Sequence, residues 1–364
     1  MKLLKKISYL LLLSLFFIAC EKDNTPQEEE QQQEEETQPR GDYDLGILIT
    51  NEGPFNTGTG TVSYVSEDFQ NVANAIYNTV NNEDLGNIVQ SIAFKDDLAY
   101  VVVNNSNRIV VVNRYTFEKQ AVIENGLVQP RNMAIVNNTG YVTNWGDPFV
   151  ATDDFVAVLD LLTNEVTSTI PVDFGPEAIL AKDQNLYVAH QGGYDFNNKI
   201  SVINSGDNSV TTTIDVGFVP NSMSFFGDDL WVLCGGKPNY ADVETAGSIV
   251  KINTSNNTVS QTIDFPETTN HPNHLTMENS DIYYVLGSDV YKMDVAAGVL
   301  PANPIISNVF FYSMTVHNGK LYGTDAGDYQ SDGFLKVYDL SNNQEIQNIT
   351  VGLIPGGVYF NEAE

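Results

Sequence analysis

The chain is poor in cysteine and in basic residues, and each deficit excludes a class of protein. Its 364 residues include only two cysteines, Cys20 and Cys234, which excludes a disulfide scaffold and a four-cysteine zinc site. The 17 lysines and arginines stand against 47 aspartates and glutamates, a formal net charge of -30. Nucleic acid is therefore excluded as a partner, because its binding depends on positive side chains that neutralise phosphates.

The sequence also lacks the short motifs that mark common catalytic sites. It contains no Gly-x-Ser-x-Gly elbow, no His-Glu-x-x-His zinc motif and no Gly-x-x-x-x-Gly-Lys phosphate loop. Its paired acids are mostly predicted turn residues, and Asp96-Asp97 and Asp228-Asp229 fall in the hairpin turns between first and second strands. We therefore predict that the protein is not an enzyme.

Residues 1–19 have the layout of a secretory signal peptide. Three lysines among the first six residues precede an apolar run from 10 to 19 that is too short to span a bilayer. The segment Phe17-Ile-Ala-Cys20 resembles a bacterial lipobox, which implies that Cys20 becomes the lipid-modified N-terminus of the mature chain. An ordinary signal peptide followed by a coincidental cysteine is the alternative.

Residues 20–44 are predicted to form the lipidated cysteine and an acidic tether. Between Glu21 and Asp44 there are ten acids, two bases and almost no apolar residues, a composition typical of disordered, self-repelling chain. The start Glu21-Lys-Asp23 resembles the export signal that carries some Gram-negative lipoproteins to the cell surface. We therefore expect an outer-membrane lipoprotein that faces the exterior, with a periplasm-facing protein as the alternative.

From residue 45 to 364 the sequence predicts an all-β domain. Short β-branched and aromatic runs, such as Leu98–Val103, alternate with turns of Asn, Asp and Gly. A similar segment recurs seven times, 39 to 52 residues apart, with these first residues: Val89, Pro130, Pro176, Pro220, Pro272, Phe311 and Pro355. This period is typical of four-stranded propeller blades.

The seventh repeat has room for only one strand before Glu364. Three predicted strands at the start of the domain, residues 45–50, 61–65 and 72–77, lack a first strand. We predict that these N-terminal strands pair with the C-terminal strand in a seventh blade, which closes the ring and removes open sheet edges. The predicted fold is a single seven-bladed β-propeller over residues 45–364.

In a propeller, the loop after the second strand and the loop that enters the first strand of each blade share one face, here called the loop face. The remaining turns form the opposite face, here called the turn face. Five of the seven second strands end in a similar signature that closes on a glycine: Gly53, Gly146, Gly192, Gly236 and Gly327. We interpret each glycine as the residue that allows the backbone conformation needed where the strand leaves the blade.

The long loops after these glycines and the first-strand entries supply the candidate ligand-binding residues, which we expect around the channel mouth on the loop face. The loop residues are Phe55, Trp145, His190, Tyr194, Tyr240 and Tyr329, and the entry residues are Arg131, Asn132, Asn221, His274 and Tyr312. Phe149, Phe196 and Asn273 accompany them. For any single aromatic residue, packing of loop against loop is the alternative role.

No metal is predicted at this mouth, and calcium is kept as an alternative cofactor. The histidines lack the fixed short spacing of a transition-metal site. Two acidic loops supply oxygen ligands that suit calcium but miss the spacing of the Asp-x-Asn-x-Asn-Gly loop; their acids are Asp147, Asp153 and Asp154, and Asp325, Asp328 and Asp332. Cys234 lies in an apolar run and is predicted to be a buried, inert thiol.

Segments 50–53, 60–64, 87–92 and 100–105, with the lipobox and the acidic tether, resemble the YncE-like surface propellers encoded beside TonB-dependent uptake systems. Among these the chain is similar to the BtuG-type lipoproteins. That resemblance implies capture of cobalamin or a related corrinoid and its transfer to a TonB-dependent outer-membrane transporter. It transfers no contact residue, so the candidate site rests on loop geometry.

Two other functions stay open at this point. The first is a protein or glycan interaction propeller that has no small-molecule ligand of its own. The second is a propeller enzyme such as a lactonase or a quinoprotein dehydrogenase, which requires a metal or a quinone at the channel.

Overall fold

The computed structural model describes residues 39–147 and 149–362. The predicted signal peptide, the predicted lipidation site at Cys20 and most of the predicted tether lie outside these residues. In the described part of the chain, no helix has both the length and the apolar composition needed to span a bilayer.

The described residues form 28 strands and one short helix. The strands are β1 (Gly46–Asn51), β2 (Thr61–Ser66), β3 (Val72–Ala73), β4 (Val89–Lys95), β5 (Leu98–Val103), β6 (Arg108–Asn113), β7 (Lys119–Ile123), β8 (Pro130–Val136), β9 (Thr139–Asn144), β10 (Phe155–Asp160), β11 (Glu165–Pro171), β12 (Pro176–Lys182), β13 (Asn185–His190), β14 (Lys199–Asn204), β15 (Ser209–Asp215), β16 (Pro220–Phe226), β17 (Asp229–Cys234), β18 (Ser248–Asn253), β19 (Thr258–Asp264), β20 (Asn273–Glu278), β21 (Asp281–Leu286), β22 (Asp289–Asp294), β23 (Ile306–Ser307), β24 (Ser313–His317), β25 (Lys320–Asp325), β26 (Asp332–Asp339), β27 (Gln344–Leu353) and β28 (Pro355–Asn361). The helix is α1 (Ile76–Asn81).

The strands form seven four-stranded antiparallel sheets arranged in a ring, which confirms the predicted propeller. Blades 1 to 6 follow the chain as β4–β7, β8–β11, β12–β15, β16–β19, β20–β23 and β24–β27. The first strand of each blade contacts the first strands of its neighbours, so these strands line the central channel. Five of the seven first strands begin at the residue that the repeat predicts.

Blade 7 closes the ring as predicted, in the strand order β28-β1-β2-β3. Strand β1 pairs on one side with β28 and on the other with β2. The prediction of a strand over residues 72–77 is wrong in its second half, because β3 is two residues long and α1 follows it. Ala75 has a positive φ of 51° that ends the extended run, and Ile76 and Tyr77 turn into the core from the helix.

Seven clusters of buried apolar side chains hold the ring together, one between each pair of neighbouring blades. Strand β5 illustrates why a strand inside a blade can be apolar at every position. Ala99, Val101 and Val103 pack toward blade 7, whereas Tyr100 and Val102 pack toward blade 2. Because successive side chains of a strand point to opposite faces, a strand covered on both faces is apolar at every position.

The ring also holds residues just before β1. The sequence places the end of the tether at Asp44, but Tyr43 is only 9% exposed and packs edge-on against Tyr64 and Phe117. The buried Asn361 side chain donates a hydrogen bond of 2.7 Å to the Tyr43 carbonyl. Ordered packing therefore begins slightly before the predicted domain boundary.

Candidate functional site

The five signature glycines have the backbone geometry that the sequence predicts. Their φ angles are positive, at 77°, 60°, 106°, 72° and 55° in chain order, a region that disfavours side chains with a Cβ. At Gly236 a Cβ would lie 2.2 Å from the carbonyl oxygen of Thr245, at the far end of the same loop. The glycine thus lets the end of the loop pack back against its start.

The residue two positions before the glycine points into the blade. Asn51 and His190 occupy this position in blades 7 and 3, and both are fully buried. Each bonds a serine on the next strand: Asn51 Nδ2 lies 2.9 Å from Ser63 Oγ, and His190 Nε2 lies 2.8 Å from Ser201 Oγ. Burial lowers the pKa of His190 to about 4. His190 therefore lies inside blade 3 and not at the channel mouth, where the sequence places it.

The channel opens on the loop face into a cavity of about 490 Å³, here called the well. Five predicted entry residues line it: Arg131, Asn132, Asn221, His274 and Tyr312. Each blade contributes the residue at the same point of its first strand or just before it, in the order Gln90, Arg131, Glu177, Asn221, Asn273, Tyr312 and Gly356. The ring of polar side chains has a gap at Gly356, in blade 7.

Arg131 connects the well to the surrounding aromatic residues. Its guanidinium makes two hydrogen bonds to Glu177, from Nε to Oε2 at 2.8 Å and from Nη2 to Oε1 at 2.9 Å. Its Cζ also lies 4.2 Å from the ring centroid of Trp145. The two side chains of the ion pair are only 16% and 12% exposed, so this bidentate pair is sheltered from solvent screening.

Glu52 lies on the opposite side of the well, beside the gap at Gly356. Its Oε2 accepts a hydrogen bond of 3.0 Å from the Tyr312 hydroxyl. Burial raises the pKa of Glu52, and the Tyr312 hydrogen bond and the charge of Arg131 oppose that change. A Cβ on Gly356 would lie 3.5 Å from Glu52 Oε1, an ordinary contact.

His274 contributes a neutral side chain to the wall of the well. Burial lowers its pKa to about 4, and a hydrogen bond to the Phe311 backbone opposes that change. At neutral pH the imidazole therefore carries no charge. The lining of the well, as far as the chain is described, contains two carboxylates, Glu52 and Glu177, and one base, Arg131.

Aromatic side chains surround the well on the loop face. Trp145 is only 8% exposed and lies under Tyr194, with ring centroids 6.0 Å apart. Tyr194 stacks in turn on Phe149 at 5.3 Å. On the opposite side Tyr329 meets Tyr312 edge-on at 6.0 Å. Contacts therefore run without a break from the well to the exposed rim.

Phe55 and Tyr240 are 64% and 80% exposed and lie farther out on the same face. Tyr240 contacts Phe196, with ring centroids 5.8 Å apart. Phe310, which precedes β24, is 74% exposed on this face and was not predicted as a site residue. Its loop carries no signature glycine, so the pattern that identified the other aromatics does not include it.

The acidic loops use their carboxylates to hold turns. Asp153 accepts the backbone N–H of Asp147, and Asp328 accepts those of Gln330 and Ser331. Asp325 pairs with Lys336 at 2.7 Å. Across residues 39–147 and 149–362, no three His, Cys, Asp or Glu side chains are grouped to hold a metal ion. Cys234 is fully buried, and burial raises the pKa of its thiol to about 12.

Comparison with known proteins identifies a family and a shared fold. The family model described as "Domain of unknown function (DUF5074)" matches residues 45–352. No curated protein matches the chain.

Three solved structures resemble the chain at low sequence identity. A functionally unknown protein from Desulfotomaculum acetoxidans has a TM-score of 0.62 at 15% identity, covering 88% of this chain and 100% of its own. The computationally designed Ika8 protein has a TM-score of 0.57 at 12% identity, with coverages of 88% and 96%. Hydrazine synthase from Kuenenia stuttgartiensis has a TM-score of 0.58 at 14% identity, with coverages of 80% and 89%. Identities this low indicate a common fold alone.

Proposed function

The chain belongs to the DUF5074 family and folds as a seven-bladed β-propeller, and we propose that it is a binding protein and not an enzyme. In this proposal it is a surface-exposed outer-membrane lipoprotein. Its loop face binds a bulky small ligand, cobalamin or a related corrinoid, and delivers it to a TonB-dependent transporter.

The distribution of exposed aromatic residues carries the proposal. Seven phenylalanine and tyrosine side chains are exposed among the described residues, and six of them, all but Phe226, lie on loops of the loop face. They surround a polar well of about 490 Å³. Exposed apolar side chains gathered on one face mark a binding surface, and an apolar rim around polar groups fits a flat ligand with polar edges.

A corrinoid has the required shape and chemistry. Its macrocycle is broad and flat, so one of its faces can lie against aromatic side chains. Its edge carries amide groups, which can reach hydrogen-bonding residues such as Asn221 and Asn273 at the well. The resemblance of the sequence to the BtuG-type lipoproteins supports the same ligand class.

The proposed location rests on the N-terminal sequence. The lipobox at residues 17–20 and the acidic segment after it would anchor the ring to the outer membrane and hold it away from the lipid surface. A ring tethered in this way can meet a transporter in the same membrane without a permanent interface. Labelling of the intact cell surface with an antibody against the ring tests this location.

Ligand binding is tested by titrating the purified chain with cyanocobalamin and with cobinamide, using calorimetry and thermal melting. We expect saturable binding that raises the melting temperature, because a ligand that binds only the folded ring stabilises it, by about 2.7 kcal/mol at a hundred times its Kd. If neither corrinoid shows saturable binding, the proposal is wrong and a protein or glycan interaction propeller becomes the better hypothesis.

A double variant and its control test whether the ligand binds to the loop face. The double variant Phe149→Ala and Tyr194→Ala removes a stacked pair at the rim and should weaken corrinoid binding by about thirtyfold. The matched control is Phe226→Ala, which removes the 37% exposed aromatic side chain of the turn face. The control should leave the affinity unchanged.

A further inference from the structure

The well has an unusual balance of charge. Its positive residue, Arg131, is held by two hydrogen bonds to Glu177, so their charges compensate each other. Glu52 has no ion-pair partner of this kind among the described residues: its Oε2 accepts a hydrogen bond from the neutral Tyr312 hydroxyl, and the charge of Arg131 acts on it without a direct contact. Within the described chain the well therefore carries the net negative charge of one carboxylate.

The gap in the polar ring gives access to that carboxylate. Six blades place a side chain at the channel mouth, and blade 7 places Gly356 there. Glu52 Oε1 would lie 3.5 Å from a Cβ on Gly356, so the space that such a side chain would fill leads directly to this oxygen. A ligand group in the gap would be within reach of an acceptor that has a free lone pair.

We propose that the well selects ligands by charge: it admits an arm that ends in an amide or ammonium group, which donates a hydrogen bond to Glu52, and it rejects an arm that ends in a carboxylate. This inference rests on the proposed function and specifies its ligand. An N–H donor gains a hydrogen bond to a charged acceptor, whereas a carboxylate meets a partly desolvated like charge.

Three features of the site agree with this selectivity. Glu52 is half-buried, and this partial removal from water raises the pKa of its carboxyl group. Elsewhere on the wall of the well, Gln90, Asn221 and Asn273 are amides that can hydrogen bond with a second amide. Neutral His274 adds no positive charge that would attract an anion.

The probes are cobinamide and cobyrinic acid, which share a macrocycle but carry amides and carboxylates, respectively, along its edge. Each is titrated by calorimetry into the purified chain at pH 7.5. We expect cobinamide to bind about tenfold tighter or more, since its amides can donate a hydrogen bond to the charged Glu52 carboxylate and the carboxylates of cobyrinic acid cannot. Equal affinities would overturn the charge selectivity and leave the proposed function standing. Failure of both corrinoids to bind would overturn both.

The variant Glu52→Gln removes the charge and keeps the shape and the hydrogen bond with Tyr312. We expect it to reduce the preference for cobinamide to about threefold or less, because cobyrinic acid no longer meets a like charge. The control Glu67→Gln removes an exposed carboxylate of the turn face and should keep the parent preference. An unchanged preference in Glu52→Gln would overturn the role of Glu52.

A second variant tests the gap itself. Gly356→Ala places a methyl group 3.4 Å from Thr50 Oγ1 and 3.5 Å from Glu52 Oε1, without a backbone clash. We expect an unchanged melting temperature and a severalfold loss of cobinamide affinity, because the methyl group occupies the approach to Glu52. Full affinity in this variant would show that no ligand arm enters the gap.

Discussion

The two faces of the ring are built by the same repeat and carry different chemistry. On the turn face, the hairpin between the first and second strands of each of blades 1 to 6 closes through a residue at positive φ, in turn Asp96, Asn137, Asp183, Gly227, Asn279 and Asn318, the last followed by Gly319, also at positive φ. On the loop face, five of the seven second strands instead leave through a glycine into a long loop. Among the described residues, six of the seven exposed aromatic side chains lie on this face.

The difference follows from what each connection has to do. A two-residue turn joins neighbouring strands and exposes small polar side chains, because Asn, Asp and Gly tolerate positive φ at low cost. In a long loop that packs back on its own glycine, only some of the side chains are needed to hold the shape of the loop. The turn face therefore serves mainly to join strands, and the loop face carries the exposed aromatic side chains that the proposed ligand would contact.

Replacing a positive-φ glycine on each face by alanine should give the largest difference in stability between the two faces. Gly236→Ala forces a Cβ to within 2.2 Å of the Thr245 carbonyl oxygen at φ 72°, whereas a Cβ on Gly227 of the turn face meets nothing within 4 Å at φ 57°. We expect losses of about 3 kcal/mol for Gly236→Ala and about 1 kcal/mol for Gly227→Ala. Urea unfolding measures both. Equal losses would show that the loop does not depend on this close approach.

Ion pairs on the two faces should also differ in how much they stabilise the folded chain. The Arg131–Glu177 pair on the loop face is 16% and 12% exposed, whereas the Lys182–Asp228 pair on the turn face is 22% and 80% exposed. Double-mutant cycles with Met for the base and an amide for the acid should give coupling free energies of about 2 kcal/mol and below about 0.5 kcal/mol, respectively. The comparison fails if the turn-face pair couples as strongly as the loop-face pair.

Buried titratable groups of the loop face should shape the pH dependence of stability. Asp154 is 2% exposed, and burial, with the charges of Asp153 and Asp173, raises its pKa from 3.8 to about 7, opposed by the Gly175 N–H. Because the folded chain binds this proton more tightly, the stability from Asp154 is present below pH 4 and is lost as the pH rises to about 7. His190 acts in the opposite direction, since its lowered pKa makes stability fall from pH 6.5 toward pH 4.

The variant Asp154→Asn separates the two effects. It should stabilise the ring by about 2 kcal/mol at pH 8, where the parent holds a buried charge, and its stability should fall steadily from pH 6.5 to pH 4. The control Asp228→Asn alters a side chain that is 80% exposed and should keep the parent profile. Thermal melting across this pH range measures all three proteins, and parallel profiles for parent and Asp154→Asn would contradict the assignment.

The repeat made most of the fold predictable. Proline at the start of a first strand and Asx at the turns recur in blade after blade, so the period alone located strands such as β8, β12 and β16 and the closure by β28. Blade 7 has no complete copy in the sequence, and there the prediction of a strand over 72–77 missed α1. Its apolar residues Ile76 and Tyr77 suit either element, because a short apolar run does not distinguish a strand from a buried helical turn.

The site was only partly predictable for a physical reason. Entry residues such as Arg131 and Tyr312 follow the strand pattern, and the structure places them in the well. Glu177 and Gln90 occupy the same position of the repeat, so aligning the blades at the residue after the first one would have found them. Glu52 lies in the signature itself, and only the packing of β1 against β28 brings it beside Gly356.

The smallest effect on stability and affinity is expected for a substitution at His190, a predicted ligand residue that the structure places inside blade 3. Asn51 and His190 occupy the same position in their blades, and the serines that they bond, Ser63 and Ser201, are equivalent as well. His190→Asn should therefore keep that hydrogen bond, change the free energy of unfolding by less than about 1 kcal/mol and leave corrinoid affinity unchanged. His190→Ala is the control and should cost about 1–3 kcal/mol, because it leaves a cavity and an unpaired hydroxyl. Loss of corrinoid binding in a folded His190→Asn variant would return this histidine to the ligand site.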